Sequence, residues 1–242
     1  MNQIVISEDE ITNNTIEILS TDTRYKHLTT VLKPKVGAKL KACILNQGHT
    51  QLILHEVYPQ KLVFTFDQIQ NTKHNNLNLI VGLSRPPSMK KLLEHGSCMG
   101  VTNFTVAKTK LSEKSFLQSK VFHDHSISTL LNLGLSQSVQ HYKLPSFDLS
   151  PDYKQVSLSN FSKANRFILC PSADLWLSKD LIDFNQDITL AIGCERGFTK
   201  QEEEHFQEYN FIPIKISNSI LRVEIAVYSI LSQIELLRNQ YD

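Results

Sequence analysis

The stretch DITLAIGCERGFTKQEEEHFQEYNFIPIKISNSILRVEIAV, from Asp187 to Val227, decides the fold of this chain. Its apolar run Ile188–Ile192 reads as a buried strand that opens into a loop flanked by Gly193 and Gly197. Thr199 followed by Glu202 is the capping-box signature of a helix start, and Glu203 and Glu204 suit the positive end of that helix. Phe211–Ile216 reads as a second strand. A polar bend then leads into a long helix over about Ser219–Asn239, opening with Ile220-Leu221-Arg222. Leu221, Ile225, Ile230, Ile234 and Leu237 give that helix a broad apolar face, which suits burial on two sides and a wide core face equally. Two loops of this kind, each at the C-terminal end of a strand, are where an α/β domain builds a small-ligand site.

Outward from this stretch the same alternation continues. Leu77–Leu83 is a run typical of a buried strand, Ser88 can cap a helix to about Met99, and Val101–Ala107 returns to a strand. Ser126–Gln140 reads as a helix interrupted by Gly134, and Phe167–Cys170 as a further strand. Such order predicts βαβ units and a mostly parallel sheet. Pro145–Ala164 is polar and reads as a long surface excursion. Before residue 70 the pattern is different: Lys39–Leu45, Gln51–Val57 and Lys61–Phe66 are short strands, with turn chemistry at Gly37, Asn46-Gln47-Gly48 and Tyr58-Pro59. Thr23–Leu32 is a helical exception, ended by Pro34. A small β-barrel or curled sheet over 1–70 is therefore expected, then a linker, Gln68–Asn76, and an α/β domain over 77–242.

The bulk numbers set wide bounds. At 242 residues the chain can bury one large core or two modest ones. Apolar residues at 41% and charged residues at 20% describe an ordinary soluble protein, and a formal charge of +1 announces no basic field, although a local patch needs none. Cys43, Cys98, Cys170 and Cys194 stand apart, without zinc spacing or a C-x-x-C pair, as expected of reduced thiols in a protein without a metal. The opening MNQIVISEDEI has acidic residues where a signal peptide needs an apolar run, and no apolar run is long enough to span a bilayer. A cytoplasmic protein with no membrane partner is expected.

Taken alone, Gly193-x-x-x-Gly197 is weak, because glycines also simply make turns. It is neither a Walker loop nor a Rossmann fingerprint. The order of the pieces says more. Ile192-Gly193-x-Glu195-x-Gly197-Phe198-Thr199, then Glu203, then Ile220-Leu221-Arg222 with Glu224 and Ala226, resembles the RsmE family. The family pattern is approximately IGPEGGF(S/T)xxE followed by LGxxILRxETA. Arg24-Tyr25-x-His27-Leu28 with Val31-Leu32-Lys33 and Val36-Gly37 resembles its N-terminal signature. Gln137-Ser138 with Leu144-Pro145, and Met99-Gly100-Val101, resemble two further segments, so the likeness runs along most of the chain. There are departures: Cys194 for proline, Arg196 for glycine, Ile216-Ser217 for LG and Ile225 for threonine. The segment Ser97-Cys98-Met99-Gly100-Val101 lacks the family glutamate. Leu133, Gly134, Ser136 and Gln140 replace the glutamates, alanine and arginine of the EAxEQSxR segment.

The resemblance implies a SPOUT-type, trefoil-knotted methyltransferase domain behind an N-terminal PUA-like β-barrel, although threaded connections are otherwise very rare. It implies a homodimer that uses S-adenosylmethionine to methylate N3 of a uridine in 16S ribosomal RNA of the small subunit. By position the cofactor would meet Leu169, Pro171, Ile192, Gly193, Glu195, Gly197, Ile216, Ser217, Ile220 and Leu221.

Methyl transfer from a sulfonium needs orientation and stabilisation of the uridinate rather than a metal. Arg222 is the candidate for holding a phosphate or uridine oxygen, and its structural alternative is a salt bridge with Glu195 or Glu224. Glu224 is the candidate for accepting a proton or positioning Arg222, and Glu195 for hydrogen-bonding loop backbone. His95 and His27 are weaker candidates for a base. For RNA, Arg24, Lys26, His27, Lys33 and Lys35 form a basic cluster, which Arg85, Lys90 and Lys91 would extend. Two other readings stay open: a relative that binds RNA but has lost catalysis, and a methyltransferase of this fold acting on another RNA position.

Overall fold

The computed structural model describes residues 2–72 and 75–239; Lys73 and His74 of the expected linker, and residues 240–242, lie outside the described residues. The chain divides into two units, one of residues 2–72 joined by Leu135–Leu144, the other of 75–134 and 145–239.

In the first unit, alternation dictates the sheet. Strand β3 (Thr15–Leu19) buries Ile16 and Ile18 and turns Glu17 outward; β6 (Lys61–Phe66) buries Leu62 and Phe64. With β1 (Ile4–Ile6), β2 (Ile11–Thr12), β4 (Lys39–Ile44) and β5 (Gly48–Tyr58) they form a curled half-barrel in the order β1-β4-β5-β6-β3-β2. Burying each large aliphatic side chain in this core contributes about 1.5–3 kcal/mol. A register shift between Leu54 and Glu56 bends β5, as a bulge does. Helix α1 (Thr23–His27) starts where the Asp22 carboxylate accepts from the Arg24 N–H at 2.7 Å. A widened turn, Leu28–Leu32, carries it on to Lys33, whose left-handed backbone (φ 46°) ends it just before Pro34. Leu135–Leu144 belongs here because the N-terminal strand is tied to it: the Gln3 side-chain amide donates to the carbonyls of Leu135 (2.9 Å) and His141 (2.8 Å).

The second unit is a six-stranded sheet in the order β12-β10-β11-β7-β8-β9, with every pairing parallel. Its elements are β7 (Leu77–Gly82), α2 (Pro86–Cys98), β8 (Asn103–Ala107), α3 (Asp124–Gln137), β9 (Ser146–Ser150), β10 (Arg166–Leu169), β11 (Ile188–Ile192), α4 (Lys200–Glu208), β12 (Ile212–Ile214) and α5 (Val223–Asn239). The chain leaves β12 at the sheet edge and returns to lay α5 against α2 and β11. The β-strand–helix alternation read from the sequence is therefore the fold's framework.

Three local expectations differ from the structure. Ser88 is not the cap of α2; the helix begins at Pro86-Pro87, whose fixed φ and missing N–H groups suit a first turn. Pro145–Ala164 is not only a surface excursion. It supplies β9, a parallel edge strand whose polar sequence hides its pairing with β8, and it buries Tyr153 and Leu158. Ser219–Arg222 precede the last helix, which starts at Val223, with the Arg222 carbonyl accepting from the Ala226 N–H at 2.8 Å.

Gly134, an apparent weakness in α3, is a contact. A Cβ there would fall on the carbonyl oxygen of Glu94 and 2.9 Å from the Ser97 Cβ, while the Ser97 hydroxyl donates to the Leu131 carbonyl at 2.7 Å. The missing side chain lets α3 lie directly on α2. Gly134→Ala is expected to destabilise the protein by about 1–3 kcal/mol through overpacking, despite alanine's better helix propensity. Denaturant unfolding measures this, and an unchanged or higher midpoint would contradict the packing described.

Candidate active site

Strands β10, β11 and β12 lie side by side and point the same way, so the loops leaving Leu169, Ile192 and Ile214 emerge at one edge. They enclose a cleft of about 470 Å³, a size suited to a small ligand. All ten residues expected to meet a cofactor line it: Leu169 and Pro171 from the first loop; Ile192, Gly193, Glu195 and Gly197 from the second; Ile216, Ser217, Ile220 and Leu221 from the third. Cys170, Cys194, Arg196 and Ser219, inside the same three loops, also line it; the sequence alone did not assign Phe198, Glu203, Ile214 and Lys215 to the cleft, nor Val223 and Ala226 of α5. The spacing of Val223 and Ala226 on one helix face was the available signal for the last two.

Sterics shape the middle loop. A Cβ on Gly193 would lie 2.5 Å from the Gly197 carbonyl carbon and 2.8 Å from the Phe198 nitrogen, so the turn closes only around a glycine. Gly197 has φ 74°, a left-handed conformation, and open space where a Cβ would stand. The Gly197 N–H donates to the Cys194 carbonyl at 2.8 Å. Between these two glycines, Cys194, Glu195 and Arg196 all have negative φ, so side chains there cost no strain. Cys194 is buried with its Sγ 3.6 Å from the Gly197 carbonyl. The Arg196 guanidinium donates to the Leu111 carbonyl at 2.7 Å, which fixes the direction of this long side chain. Ser217 is likewise not left-handed, and its hydroxyl accepts from the Ser219 N–H at 3.0 Å.

Around the loops, supports hold the cleft open. Glu195 accepts from the Arg85 N–H at 2.7 Å, so its carboxylate braces the start of α2 and forms no salt bridge with Arg222. Gln233 on α5 donates to the Ile216 carbonyl at 3.1 Å. Lys215 lies 5.0 Å from the Trp176 ring in a cation–π contact. Buried Glu202 accepts from the Thr199 N–H (2.7 Å), the Thr199 hydroxyl (2.8 Å) and the Lys110 N–H (2.7 Å). The expected capping box is thus present, and its glutamate also ties down the loop after β8.

The expected catalytic pair stands outside the lining. Arg222 is exposed between the lining residues Leu221 and Val223, and among the described residues it makes no ion pair. Glu224 is half-buried in the first turn of α5, also without an ion pair among the described residues. His95 is exposed on α2, with its ring 5.3 Å from that of Tyr228. Burial, then Glu224 and Glu94, push the Tyr228 phenol up to about 12, which removes it as a base near neutrality. Burial and the nearby Glu203 likewise push the Cys170 thiol up to about 12, so it presents an uncharged wall and no thiolate nucleophile.

In the first unit, Lys26, Lys33 and Lys35 are exposed and His27 is half-buried. Arg24 differs from them. Its guanidinium is clamped by Glu10 and Asp22 and donates to the Val5 carbonyl at 2.7 Å, so its hydrogen-bonding capacity is spent within the fold. Arg24 thus differs from the exposed lysines with which it was expected to contact RNA.

Comparison with known proteins agrees with this geometry. The RNA methyltransferase domain family matches residues 71–235. The chain is 30% identical to ribosomal RNA small subunit methyltransferase E 1 of Borreliella burgdorferi over 235 residues, 93% of this chain and 94% of that protein. It is 27% identical to the methyltransferase E of Treponema pallidum, covering 93% of this chain and 87% of that one. A crystal structure of the methyltransferase E from Neisseria gonorrhoeae, bound to S-adenosyl methionine, superposes with a TM-score of 0.75 at 17% identity, over 97% of this chain and 98% of that one. The fold is that of a SPOUT-class RNA methyltransferase. Within that class, the chain belongs to the RsmE family, the ribosomal RNA small subunit methyltransferases E.

Removing Glu202 should show how far the cleft depends on its bracing. Glu202→Ala orphans the N–H groups of Thr199 and Lys110, at about 1–3 kcal/mol for each donor that stays buried. A clear fall in thermal midpoint is expected, partly restored in Glu202→Gln, whose amide oxygen can still accept. A midpoint equal to wild type would contradict it.

Proposed function

We propose that this protein methylates N3 of a uridine in 16S ribosomal RNA of the small subunit, with S-adenosylmethionine bound in the cleft at the ends of β10, β11 and β12. The observation that carries the reading is that the ten residues which the resemblance assigns to the cofactor, from three separate loops, line one cleft. The lining fits the cofactor chemically: Leu169, Ile192, Ile216 and Leu221 offer apolar wall for a flat base, and Glu203 offers a carboxylate to a cation. S-adenosylmethionine, once bound, supplies an electrophilic methyl group on a sulfonium.

The chain's own residues then have three tasks. The apolar walls exclude water, and the braced loops hold the cleft in one shape. Arg222, unpaired beside the mouth, neutralises the uridinate that forms when N3 loses its proton. Glu224, two residues further on, takes that proton or passes it to solvent. Lys26, His27, Lys33 and Lys35 bind phosphates, with Lys90 and Lys91 as further exposed cations. Cys194, Arg196 and Ser217 do not favour a catalytically silent relative, because each has ordinary backbone geometry and a hydrogen-bond partner within the protein, that of Arg196 being the Leu111 carbonyl outside the cleft lining.

A homodimer belongs to the same proposal. Ile225 (45% exposed) and Leu236 (60%) fall on one stripe of α5 with Ser229 and Ser232, and Ile220 beside the cleft is 86% exposed. Such a surface suits a second copy, and light scattering at micromolar concentration should give twice the chain mass. Among the described residues no helix is long and apolar enough to cross a membrane. Work on ribosomal RNA would put the protein in the cytoplasm.

Incubation with purified small subunits and S-adenosylmethionine, followed by nucleoside mass spectrometry, should yield 3-methyluridine; a methyl group on any other atom would contradict the assignment. Arg222→Ala should lower kcat roughly 10²- to 10³-fold, as loss of one charge-stabilising donor does elsewhere, with cofactor affinity kept. Arg196→Gly should leave cofactor affinity within about twofold. A large gain would show that the side chain obstructs the cleft.

A further inference from the structure

The first unit has a cleft of its own, of about 380 Å³, separate from the one described above. Its floor is Gln3, 2% exposed. Both amide hydrogens of Gln3 are engaged by main-chain carbonyls, so the one group it can still offer is the acceptor Oε1. One wall is equally rigid. His49 and Gln70 exchange two main-chain hydrogen bonds of 2.9 and 2.8 Å, beside a glycine, Gly48, whose Cβ would collide with the Gln70 carbonyl. The His49 ring stands edge-on to Tyr142 at 5.1 Å, and the Tyr142 hydroxyl donates to Asn71 at 2.6 Å.

The rim contrasts with that floor. Lys41, Gln51, Gln68, Gln70 and Gln140 are exposed there, and among the described residues their side chains have no hydrogen-bond or ion-pair partner. Asp67 is occupied by Lys39 at 3.1 Å, which leaves Lys41 as the unpaired charge. Val139, 43% exposed, adds an apolar flank. Free carboxamides give a donor and an acceptor in one plane, the pattern that pairs with a base edge. One lysine suits one phosphate, and an apolar flank suits the face of a base.

We infer that this cleft receives one unpaired, splayed-out nucleotide of the RNA substrate. Gln3 Oε1 accepts from an N–H on the base edge, Gln51 and Gln70 pair with the remainder of that edge, and Lys41 holds its phosphate. The inference rests on the RNA-directed function proposed above, and it adds a recognition pocket in the first unit, built from none of the residues of the candidate active site.

The test uses the full chain, small subunits as methyl acceptor, and the variants Gln51→Leu/Gln70→Leu and Lys41→Met. The glutamine pair should raise KM for the subunit roughly 5- to 30-fold, as loss of a bidentate base contact does, with kcat and cofactor affinity unchanged. Lys41→Met should reduce the slope of log affinity against log salt by about one, which the glutamine pair should not do. KM within twofold of wild type for both variants, or an equal change of salt slope in both, would overturn the inference. A wild-type protein that methylates no RNA would instead overturn the function. In that case anisotropy of a labelled single-stranded oligoribonucleotide still reads the pocket, and equal binding by wild type and glutamine variant sinks it.

Discussion

Gly193 has no room for a side chain, and the site depends on that. With hydrogen alone at this position the loop after β11 can fold back so that Gly197 and Phe198 lie against it. The cleft between this loop and those after β10 and β12 is what remains open. At 193 the demand is space; at 197 it is a left-handed backbone.

This distinction explains how the chain tolerates its departures from the family pattern. Of the glycines in that pattern, 193 and 197 are kept, and both face a physical demand. At 196 and 217 the demand is missing: φ is negative, and the side chain finds a partner at the Leu111 carbonyl or the Ser219 N–H. Cys194 replaces proline inside a turn already closed by its own carbonyl. The substitutions that look most damaging as letters are those the backbone can absorb.

Much of this was legible beforehand because periodicity and capping are local signals. Ile188–Ile192 is a strand with the bounds read from its apolar run, and Thr199 and Glu202 form the expected box. What could not be read depends on distant partners. Ser146–Ser150 has no strand-like apolar run and becomes one only through its pairing with β8. Leu135–Leu144 joins the first unit through bonds to Gln3, more than a hundred residues away in sequence. Arg24 sits in a basic cluster by letter, yet Glu10 and Asp22 hold it inside the fold. Burial opposes that ion cluster, but the hydrogen bonds and charge of Arg24 outweigh it and draw the Asp22 carboxyl below its usual range. Motif order pointed to the three loops that line the cleft, whereas the positions of Arg222 and Glu224 outside the lining needed coordinates.

The most direct measurement is calorimetric titration of S-adenosylmethionine into wild type and Gly193→Ala, with circular dichroism confirming that the variant is folded. The account predicts one saturable site per chain in wild type and loss of at least tenfold in affinity in the variant, because an added methyl forces the Gly193–Gly197 turn apart. No heat of binding to wild type at millimolar cofactor, or equal affinity in the two proteins, would contradict it.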